Sequence, residues 1–285
     1  MQTTATSGGG LKRLAAEQVQ HYRRDGALWP IRVMSAQDAR VLRSKLEAFE
    51  QAHPDAAKTI LRHKPHLILT WLADLVRHPA ILDVVEDVLG PDLLCWSANF
   101  FIKEAHDPAY VSWHQDSTYW GLSEPEVMTA WVAFSVSDVP SGCMRFIPGS
   151  HLLDQVPHTD TFADRNLLTR GQEIAVEVDE NKAQYMPLQP GEMSLHHVRL
   201  FHNSRPNETS DRRIGLAIRY IPTRIKQISG YADGATLVRG VDRFKNFEAE
   251  PRPAFDMAPE ALALQQASVE RSKTILYRGA DKVRH

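Results

Sequence analysis

The stretch GEMSLHHVRLFHNSRPNETSDRR occupies residues 191–213 and bears on both fold and chemistry. His202 and Arg213 lie eleven residues apart in it, on either side of a polar turn, and a His-Gln-Asp tripeptide occupies residues 114–116 upstream. Two imidazoles and one carboxylate on adjacent strands can hold three positions on one face of a ferrous ion and leave three open. An arginine close to such a centre supplies the planar, always-charged fork that suits a dicarboxylate. The chain is therefore predicted to carry a non-haem iron site.

Length and composition indicate an ordinary globular enzyme. The 285 residues are 43% hydrophobic and 24% charged with a net charge of −2, so no basic excess points to nucleic acid. Apolar runs such as residues 130–136 are far too short to cross a bilayer, so no membrane partner is expected. The two cysteines, Cys95 and Cys143, lie in apolar segments, which argues against a disulfide framework and favours a reducing cytoplasm.

The chain is interpreted as a leader followed by a single domain. Residues 1–10 are polar and glycine-rich and are expected to be disordered, and residues 11–285 are expected to form the domain. Residues 11–90 are predicted to be mainly helical, with Ser35 as an N-cap and Pro79 at the start of a second helix.

The middle of the chain is predicted to be β-structured. Short β-like runs separated by turn signals cover residues 94–103, 127–136, 144–147, 193–201 and 213–221. Residues 93–222 are therefore predicted to form an antiparallel β-barrel or sandwich with helices packed outside. Residues 155–187 are interpreted as a long polar excursion, and residues 223–285 as a C-terminal lid and helix region.

Strand geometry supports the metal hypothesis. Residues i and i+2 of a strand point the same way, so His114 and Asp116 are predicted to present an imidazole and a carboxylate together, while Gln115 faces away. A lone His-x-Asp pattern is common and carries little weight unless a third ligand lies downstream.

Three histidines compete for the third ligand position, namely His196, His197 and His202. Parity along one strand puts His196 and His202 on the same face and excludes only His197. The position of His202 beside the turn, and its spacing from Arg213, favour His202. His196 is then interpreted as a packed histidine with a satisfied hydrogen bond, and His197 as a residue of the outer face.

The alternation of residue types from Arg213 onwards predicts a strand with two different faces. One face carries small and cationic residues, Arg213, Gly215, Ala217 and Arg219. The other carries mostly branched apolar residues, Arg212, Ile214, Leu216 and Ile218. The first face suits a β-core interior that holds an anionic ligand, and the second suits packing against helices.

Three stretches together resemble the phytanoyl-CoA dioxygenase family of Fe(II)/2-oxoglutarate oxygenases. They are WHQD at 113–116, GCMRFIPGSH at 142–151 and residues 191–213, and the similarity extends over about residues 16–222. The resemblance implies a mainly β fold with flanking helices, built on a double-stranded β-helix of the jelly-roll or cupin-like barrel type. It also implies Fe(II), 2-oxoglutarate and O2 as cofactors.

The resemblance implies roles for particular residues. The metal triad falls on His114, Asp116 and His202. The residues that match those binding the distal carboxylate of 2-oxoglutarate are Arg213 and Ser204. Further positions that match co-substrate contacts are Trp131, Asn99 and Lys64. Trp131 could equally be a core aromatic and Lys64 a surface lysine. The halogenating branch of the family has a small residue in place of the carboxylate ligand, so the presence of Asp116 favours hydroxylation.

The expected reaction is hydroxylation of an unactivated C–H bond in a small-molecule substrate, with release of succinate and CO2. The candidate substrate-facing residues are Phe101, Lys103, Tyr119, Trp120 and Arg219. The two cations among them favour an anionic or zwitterionic metabolite, and the aromatic pair could box an aliphatic chain or an ammonium group. Structural roles for all five are the alternative.

Other functions fit the same residues. The same fold could perform oxidative desaturation, cyclisation or halogenation. A zinc-dependent hydrolase is a less favoured alternative, because two histidines and an aspartate also bind Zn²⁺. A non-catalytic, cupin-like binding protein is another. The chain is compatible with a monomer or a homodimer, since an exposed sheet edge can pair with a second copy.

Overall fold

The computed structural model describes residues 10–278. In this range the α-helices are Ala16–Asp25 (α1), Ala36–Ala52 (α2), Pro54–Ile60 (α3), Thr70–Leu75 (α4), Pro79–Leu89 (α5) and Pro259–Leu276 (α6). The strands are Ala27–Arg32 (β1), Leu93–Lys103 (β2), Val111–His114 (β3), Met128–Ala133 (β4), Met144–Phe146 (β5), His158–Asp160 (β6), Gln172–Ile174 (β7), Gln184–Met186 (β8), Glu192–His197 (β9), His202–Ser204 (β10), Arg213–Pro222 (β11), Gly234–Arg239 (β12) and Glu248–Ala249 (β13). The predicted leader, residues 1–10, lies outside the described residues except for Gly10.

Two main sheets make up the β core. The larger has seven strands in the order β1-β9-β4-β11-β2-β12-β13, and its neighbours are antiparallel except for the parallel pair β12 and β13. The smaller has the order β3-β10-β5-β8, and β6 pairs separately with β7. The predicted mainly β fold with flanking helices is confirmed. The two main sheets are separate in the described residues, which is consistent with the predicted jelly roll, and they do not close into one continuous barrel.

The helices cover the outer face of the large sheet. Ile214, Leu216 and Ile218 of β11 are completely buried in one apolar cluster that also contains Leu46 of α2 and Leu72 of α4. Burying a side chain of this size stabilises the fold by about 1.5–3 kcal/mol, so this cluster fixes the helices on the sheet. The intervening residues of β11 therefore point away from the helices, towards the smaller sheet.

The helix starts agree with the local sequence. Ser35 Oγ accepts a hydrogen bond from the amide of Asp38 at 3.0 Å and so caps α2, as predicted. Pro79 is the first residue of α5, where its missing amide hydrogen leaves no bond unmade. Gly26, with φ at +79°, ends α1 and lets β1 begin one residue later.

The expectation of one strand over residues 193–201 was wrong. β9 ends at His197, and the chain then crosses to the smaller sheet, where β10 begins at His202. The polar excursion, residues 155–187, contains three short strands: β6 pairs with β7, and β8 pairs with β5.

None of the described helices has the length and apolar character needed to span a membrane.

Candidate metal centre

His114 and His202 lie side by side on paired strands. They are opposite each other in the β3–β10 register, and their ring centroids are 4.0 Å apart. Each Nδ1 lies 2.9 Å from the backbone carbonyl oxygen two residues earlier, that of Ser112 or Leu200. A carbonyl oxygen can only accept, so each Nδ1 carries the hydrogen and each Nε2 keeps its lone pair. This is the tautomer that metal binding through Nε2 requires.

Asp116 completes the cluster. Its Oδ1 lies 3.3 Å from His114 Nε2 and 4.0 Å from His202 Nε2. One donor atom from each of the three residues can be chosen so that all lie within 4.8 Å of one another. Asp116 begins a 3-10 turn and is not part of a strand, so the predicted strand over both residues was wrong. The extended backbone of Gln115, with φ −108° and ψ 136°, nevertheless turns both side chains to one side.

Hydrogen bonds from the backbone and from Gln115 hold this turn in position. The amide of Asp116 donates to the carbonyl of Val198 at 2.9 Å. The buried side chain of Gln115 donates to the carbonyl of Arg199 at 3.0 Å and accepts from the amide of Val156 at 2.9 Å. The residue between the two predicted ligands therefore ties them to the loop before β10 and to the polar excursion.

The electrostatics of the cluster suit cation binding. Burial opposes ionisation of Asp116, but the nearby imidazoles of His114, His196 and His202 and the charge of Arg219 outweigh it and hold the pKa of Asp116 well below its usual range. Burial, and then the proximity of His114, hold the pKa of His202 well below its usual range as well. An ionised carboxylate beside a neutral imidazole is the protonation state that metal ligands need.

His196 also lies in the cluster, and its predicted role was wrong. It lies on β9 next to Thr129, and its Nε2 is 3.6 Å from Asp116 Oδ2. Its buried Nδ1 has no hydrogen-bond partner in the described residues, so it is not the satisfied core histidine that was expected. His197 is half-buried and packs on His151 with ring centroids 5.2 Å apart. In the sequence, His196 lies two residues after Ser194, which lines the cavity, so both side chains are on the same face of β9. This spacing is the signal that could have placed His196 at the site.

A cavity lies between the two main sheets and includes the cluster. Met144 and Met186 line it from the smaller sheet, and Trp131 and Arg213 line it from the larger. The Trp131 indole lies directly over Gly215, where an added Cβ would overlap the ring. Glycine at 215 is therefore what allows the indole to lie flat along β11.

Arg213 points into this cavity with no carboxylate partner. Its Nη1 donates to the carbonyl of Gly142 at 2.7 Å, and its guanidinium carbon lies 5.3 Å from the centre of the Trp131 ring. Burial lowers the pKa of Arg213 to about 10. Within the described residues no carboxylate lies within 4.0 Å of it, and Nε has no partner. Ser204 lines the same cavity. A buried guanidinium without a carboxylate partner, next to a hydroxyl, is an arrangement that suits an anion.

A second buried arginine, Arg219, lies further along the same face of β11. It lines the cavity, and its Nη1 donates to Asn99 Oδ1. Asn99 therefore contacts the Arg219 end of the face and does not line the cavity, in contrast to its predicted contact with the co-substrate. The guanidinium of Arg219 lies 5.3 Å from the ring of Trp120.

Two lysines are placed differently from their predictions. Lys64 is neither a surface lysine nor a cavity residue, because its buried ammonium is 2.7 Å from both Glu250 Oε1 and the carbonyl of Gly234. It holds the C-terminal region on β2, with its backbone amide bonded to Ala98. Lys103 is completely buried next to Ser204 and does not line the cavity. It is therefore not placed to contact the substrate.

Of the three aromatic residues predicted to face the substrate, one lines the cavity and two do not. Phe101 lines the cavity. Tyr119 does not, because its hydroxyl donates to Asp160 at 2.6 Å and its ring stacks under Arg170 at 3.8 Å. Trp120 packs on Trp96 with ring centroids 5.0 Å apart and also lies outside the lining. Trp120 lies next to Arg219, which lines the cavity, whereas the partners of Tyr119, Asp160 and Arg170, do not line it.

The donor set fits a ferrous ion. Two imidazole nitrogens and one carboxylate oxygen form one face of a coordination sphere, and the side chains leave the opposite face directed at the cavity. The guanidinium of Arg213, which has no carboxylate partner in the described residues, fits the far carboxylate of a bound oxo-acid.

One further residue at the cluster, Thr129, was not predicted. Its hydroxyl lies 3.5 Å from Asp116 Oδ2.

Comparisons with known proteins agree with this geometry. The family model described as phytanoyl-CoA dioxygenase (PhyH) matches residues 15–215. The solved structure of a non-heme monooxygenase, ThoJ in its apo form, superposes with a TM-score of 0.83 at 34% identity, over 92% of this chain and 98% of that chain. A Stutzerimonas stutzeri protein described as a "probable alpha-ketoglutarate-dependent hypophosphite dioxygenase" is 28% identical over 60% of this chain and 60% of its own length. The L-proline trans-4-hydroxylase of Streptomyces griseoviridis is 30% identical over 45% of this chain and 52% of its own length.

The chain belongs to the phytanoyl-CoA dioxygenase family. The predicted family is thereby confirmed, and at the level of the family so are the predicted enzyme class and the cofactor pair of Fe(II) and 2-oxoglutarate. The chain spans about half to three fifths of the length of the two curated relatives.

Proposed function

We propose that this protein is an Fe(II)- and 2-oxoglutarate-dependent dioxygenase that hydroxylates a C–H bond of a small anionic or zwitterionic metabolite. The observation that carries the proposal is the cavity that combines three metal-donor atoms within 4.8 Å with a buried Arg213 that has no carboxylate partner in the described residues. Neither feature stabilises an empty protein, because a buried charge without a partner costs free energy. Both are accounted for by a cation and a dicarboxylate bound together.

The iron ligands in this proposal are His114, Asp116 and His202. The Nδ1 hydrogens of the two histidines donate to backbone carbonyls, which holds both rings in one orientation and leaves both Nε2 atoms free. The carboxylate of Asp116 supplies the negative charge of the set. His196 and Thr129, both close to Asp116 Oδ2, restrain the outer oxygen of the carboxylate.

The co-substrate lies between this triad and Arg213 in the proposal. Arg213 forms a charge-assisted pair with the far carboxylate, helped by the hydroxyl of Ser204. Trp131 packs against the guanidinium and forms one wall of the slot. Bound iron and 2-oxoglutarate, with O2, supply the oxidising chemistry and yield succinate and CO2. The chain contributes the orientation and an apolar wall that limits the access of water, in which Phe101, Met144 and Met186 take part.

The substrate class follows from Arg219. This buried guanidinium lines the cavity, and no carboxylate of the described residues lies within 4.0 Å of it. Its Nε has no partner, and its one side-chain hydrogen bond is to a neutral amide, Asn99. A negatively charged group on the substrate would neutralise it. The relatives are in line with this class, because hypophosphite is an anion and L-proline is a zwitterion.

The proposal is tested by succinate formation from 2-oxoglutarate under air, with Fe(II), ascorbate and a panel of small amino acids, carboxylates and phosphonates. We expect substrate-stimulated succinate release from the native protein and a loss of at least about a hundredfold in Asp116→Ala and His202→Ala, because each removes a ligand. The matched controls are Asp55→Ala and His21→Ala, whose side chains are 96% and 40% exposed. Equal turnover in all five proteins would remove the triad from the reaction.

The same assay separates the alternatives. A zinc hydrolase would need neither O2 nor ascorbate. A binding protein would take up 2-oxoglutarate and release no succinate. Mass spectrometry of the product, with chloride present, distinguishes a gain of one oxygen from a loss of two hydrogens or a gain of chlorine.

A further inference from the structure

Lys103 is a buried lysine that the proposed reaction does not yet use. Its side chain is completely inaccessible to solvent. Its Nζ donates to Ser204 Oγ at 2.8 Å and to the carbonyl of Arg205. Ser204 lines the cavity, so Lys103 lies directly behind the hydroxyl that we assign to the far carboxylate of 2-oxoglutarate.

Two buried basic side chains are neighbours at this end of the cavity. Lys103 of β2 and Arg213 of β11 are opposite each other in the strand register. No carboxylate of the described residues lies within 4.0 Å of Lys103 Nζ. The other titratable groups that influence it are Asp107, in the loop after β2, and Cys143, just before β5. Burial, and then the charge of Arg213, lower the pKa of Lys103 to about 6.

The hydrogen bonds of Lys103 suit an uncharged amine in the protein without ligand. A neutral amine has two hydrogens, and Lys103 has two acceptors, Ser204 Oγ and the Arg205 carbonyl. Because Lys103 already donates to Ser204 Oγ, the single hydrogen of that hydroxyl is left to donate elsewhere. A carboxylate that arrives at Arg213 and Ser204 would place a negative charge next to this pair of residues, and it favours the protonated amine.

We propose that Lys103 positions the Ser204 hydroxyl for the far carboxylate of 2-oxoglutarate and takes up one proton from solvent when that carboxylate binds. This inference rests on the proposed function, because it assumes that 2-oxoglutarate occupies the cavity. It deepens that function by making co-substrate binding depend on pH through a residue that touches neither the iron ligands nor the substrate. The proton comes from bulk buffer, and no covalent bond is made or broken.

The test is titration calorimetry of 2-oxoglutarate into the Fe(II)-loaded protein without oxygen at pH 7.5, in buffers of different ionisation enthalpy. The slope of observed heat against buffer ionisation enthalpy gives the number of protons taken up. We expect a slope of about one for 2-oxoglutarate and about zero for 2-oxobutanoate, which chelates in the same way but lacks the far carboxylate. Between pH 7 and 8 the affinity for 2-oxoglutarate should fall about tenfold per unit, because the proton must be supplied from ever more alkaline solvent.

Two variants separate this role from a structural one. Lys103→Arg keeps the charge at all these pH values, so it should bind 2-oxoglutarate with a slope near zero. Lys103→Met should bind 2-oxoglutarate more weakly, also with a slope near zero, and leave 2-oxobutanoate unaffected. Lys226→Met, at an exposed lysine, is the control and should keep the native slope.

Each result has one meaning. A zero slope in the native protein that still binds 2-oxoglutarate would overturn the role of Lys103 and leave the proposed function standing. An equal slope with 2-oxobutanoate, or a slope that persists in Lys103→Met, would overturn it as well. If 2-oxoglutarate does not bind at all, the proposed function itself fails. The two ligands decide the matter on the native protein even if Lys103→Met does not fold.

Discussion

Arg213 is a buried arginine with no carboxylate partner in the described residues. Its guanidinium is 3% exposed, is bonded to one backbone carbonyl, and has no carboxylate within 4.0 Å in the described part of the chain. Arg212 next to it is fully paired, with bonds to Glu50 and Glu104. Arg212 therefore stabilises the fold through its ion pairs, whereas the burial of Arg213 costs free energy, as the proposed co-substrate site would require.

We expect Arg213→Met to weaken 2-oxoglutarate binding by roughly a hundredfold, about 3 kcal/mol, because the far carboxylate would be buried without its partner. The melting temperature of the ligand-free variant should stay the same or rise, since an unpaired buried charge is removed. Arg212→Met should do the reverse, with lower stability and unchanged affinity. Calorimetry and thermal unfolding measure the two quantities. An unchanged affinity in Arg213→Met would exclude this residue from the co-substrate site.

At the scale of elements, β11 separates stability from binding along a single strand. Leu216 is buried in the cluster under the helices, and Ala217 lines the cavity on the opposite face. β11 lies between β2 and β4, so neither face can shift without moving both neighbours. Neighbouring residues of this strand should therefore affect different properties of the protein.

Leu216→Ala should lower the free energy of unfolding by about 2–5 kcal/mol, because it leaves a cavity in a well-packed core. Its affinity for 2-oxoglutarate should stay within about twofold of the native value at temperatures where it is folded, since β11 keeps its register. Ala217→Leu should instead abolish co-substrate binding by filling the slot, at a stability cost of about 1–3 kcal/mol. Urea unfolding and calorimetry measure both variants. If both changed the same property to the same extent, the two faces would not have separate roles.

At the scale of the whole molecule, half-buried histidines that are not metal-ligand candidates make the fold sensitive to acid. Burial lowers the pKa of His63 and of His197 to about 3. His63 Nε2 is 2.9 Å from Ser268 Oγ and so joins the chain after α3 to α6. Both histidines are neutral in the folded protein at pH 5, whereas in the unfolded chain they become charged below about pH 6.5. The unfolded state then binds more protons than the folded state.

The direction in which stability changes with pH follows from this difference in bound protons. The contribution of these two histidines should be constant above about pH 7. It should lower the free energy of unfolding as the pH decreases from 6.5 towards 3, by at most about 1.4 kcal/mol per pH unit for each fully shielded histidine. Urea unfolding of the metal-free protein at pH 7.5 and pH 5.5 measures the effect. His63→Gln should show a shallower pH dependence, and His53→Gln, at an exposed histidine, should match the native protein. Stability that is equal or greater at pH 5.5 would contradict the prediction.

Local patterns in the sequence were sufficient for several features. The alternation in β11, the cap at Ser35 and the start of α5 at Pro79 depend on residues within a few positions of one another, and the structure has all three. The grouping of His114 with Asp116 was also local, although the cause is an extended Gln115 and not a continuous strand. His202 was favoured over His196 by its spacing from Arg213.

What the sequence by itself determined is therefore the set of side chains and the face that each presents, because periodicity of two along a strand is a property of the backbone alone. Tertiary structure decided what those faces meet. It brought His196 to Asp116 from another sheet, paired Lys64 with Glu250 across 186 residues, and buried Lys103 behind Ser204. These contacts join residues far apart in the chain, and their energies depend on burial and on the charge of the partner, neither of which any short stretch of sequence contains.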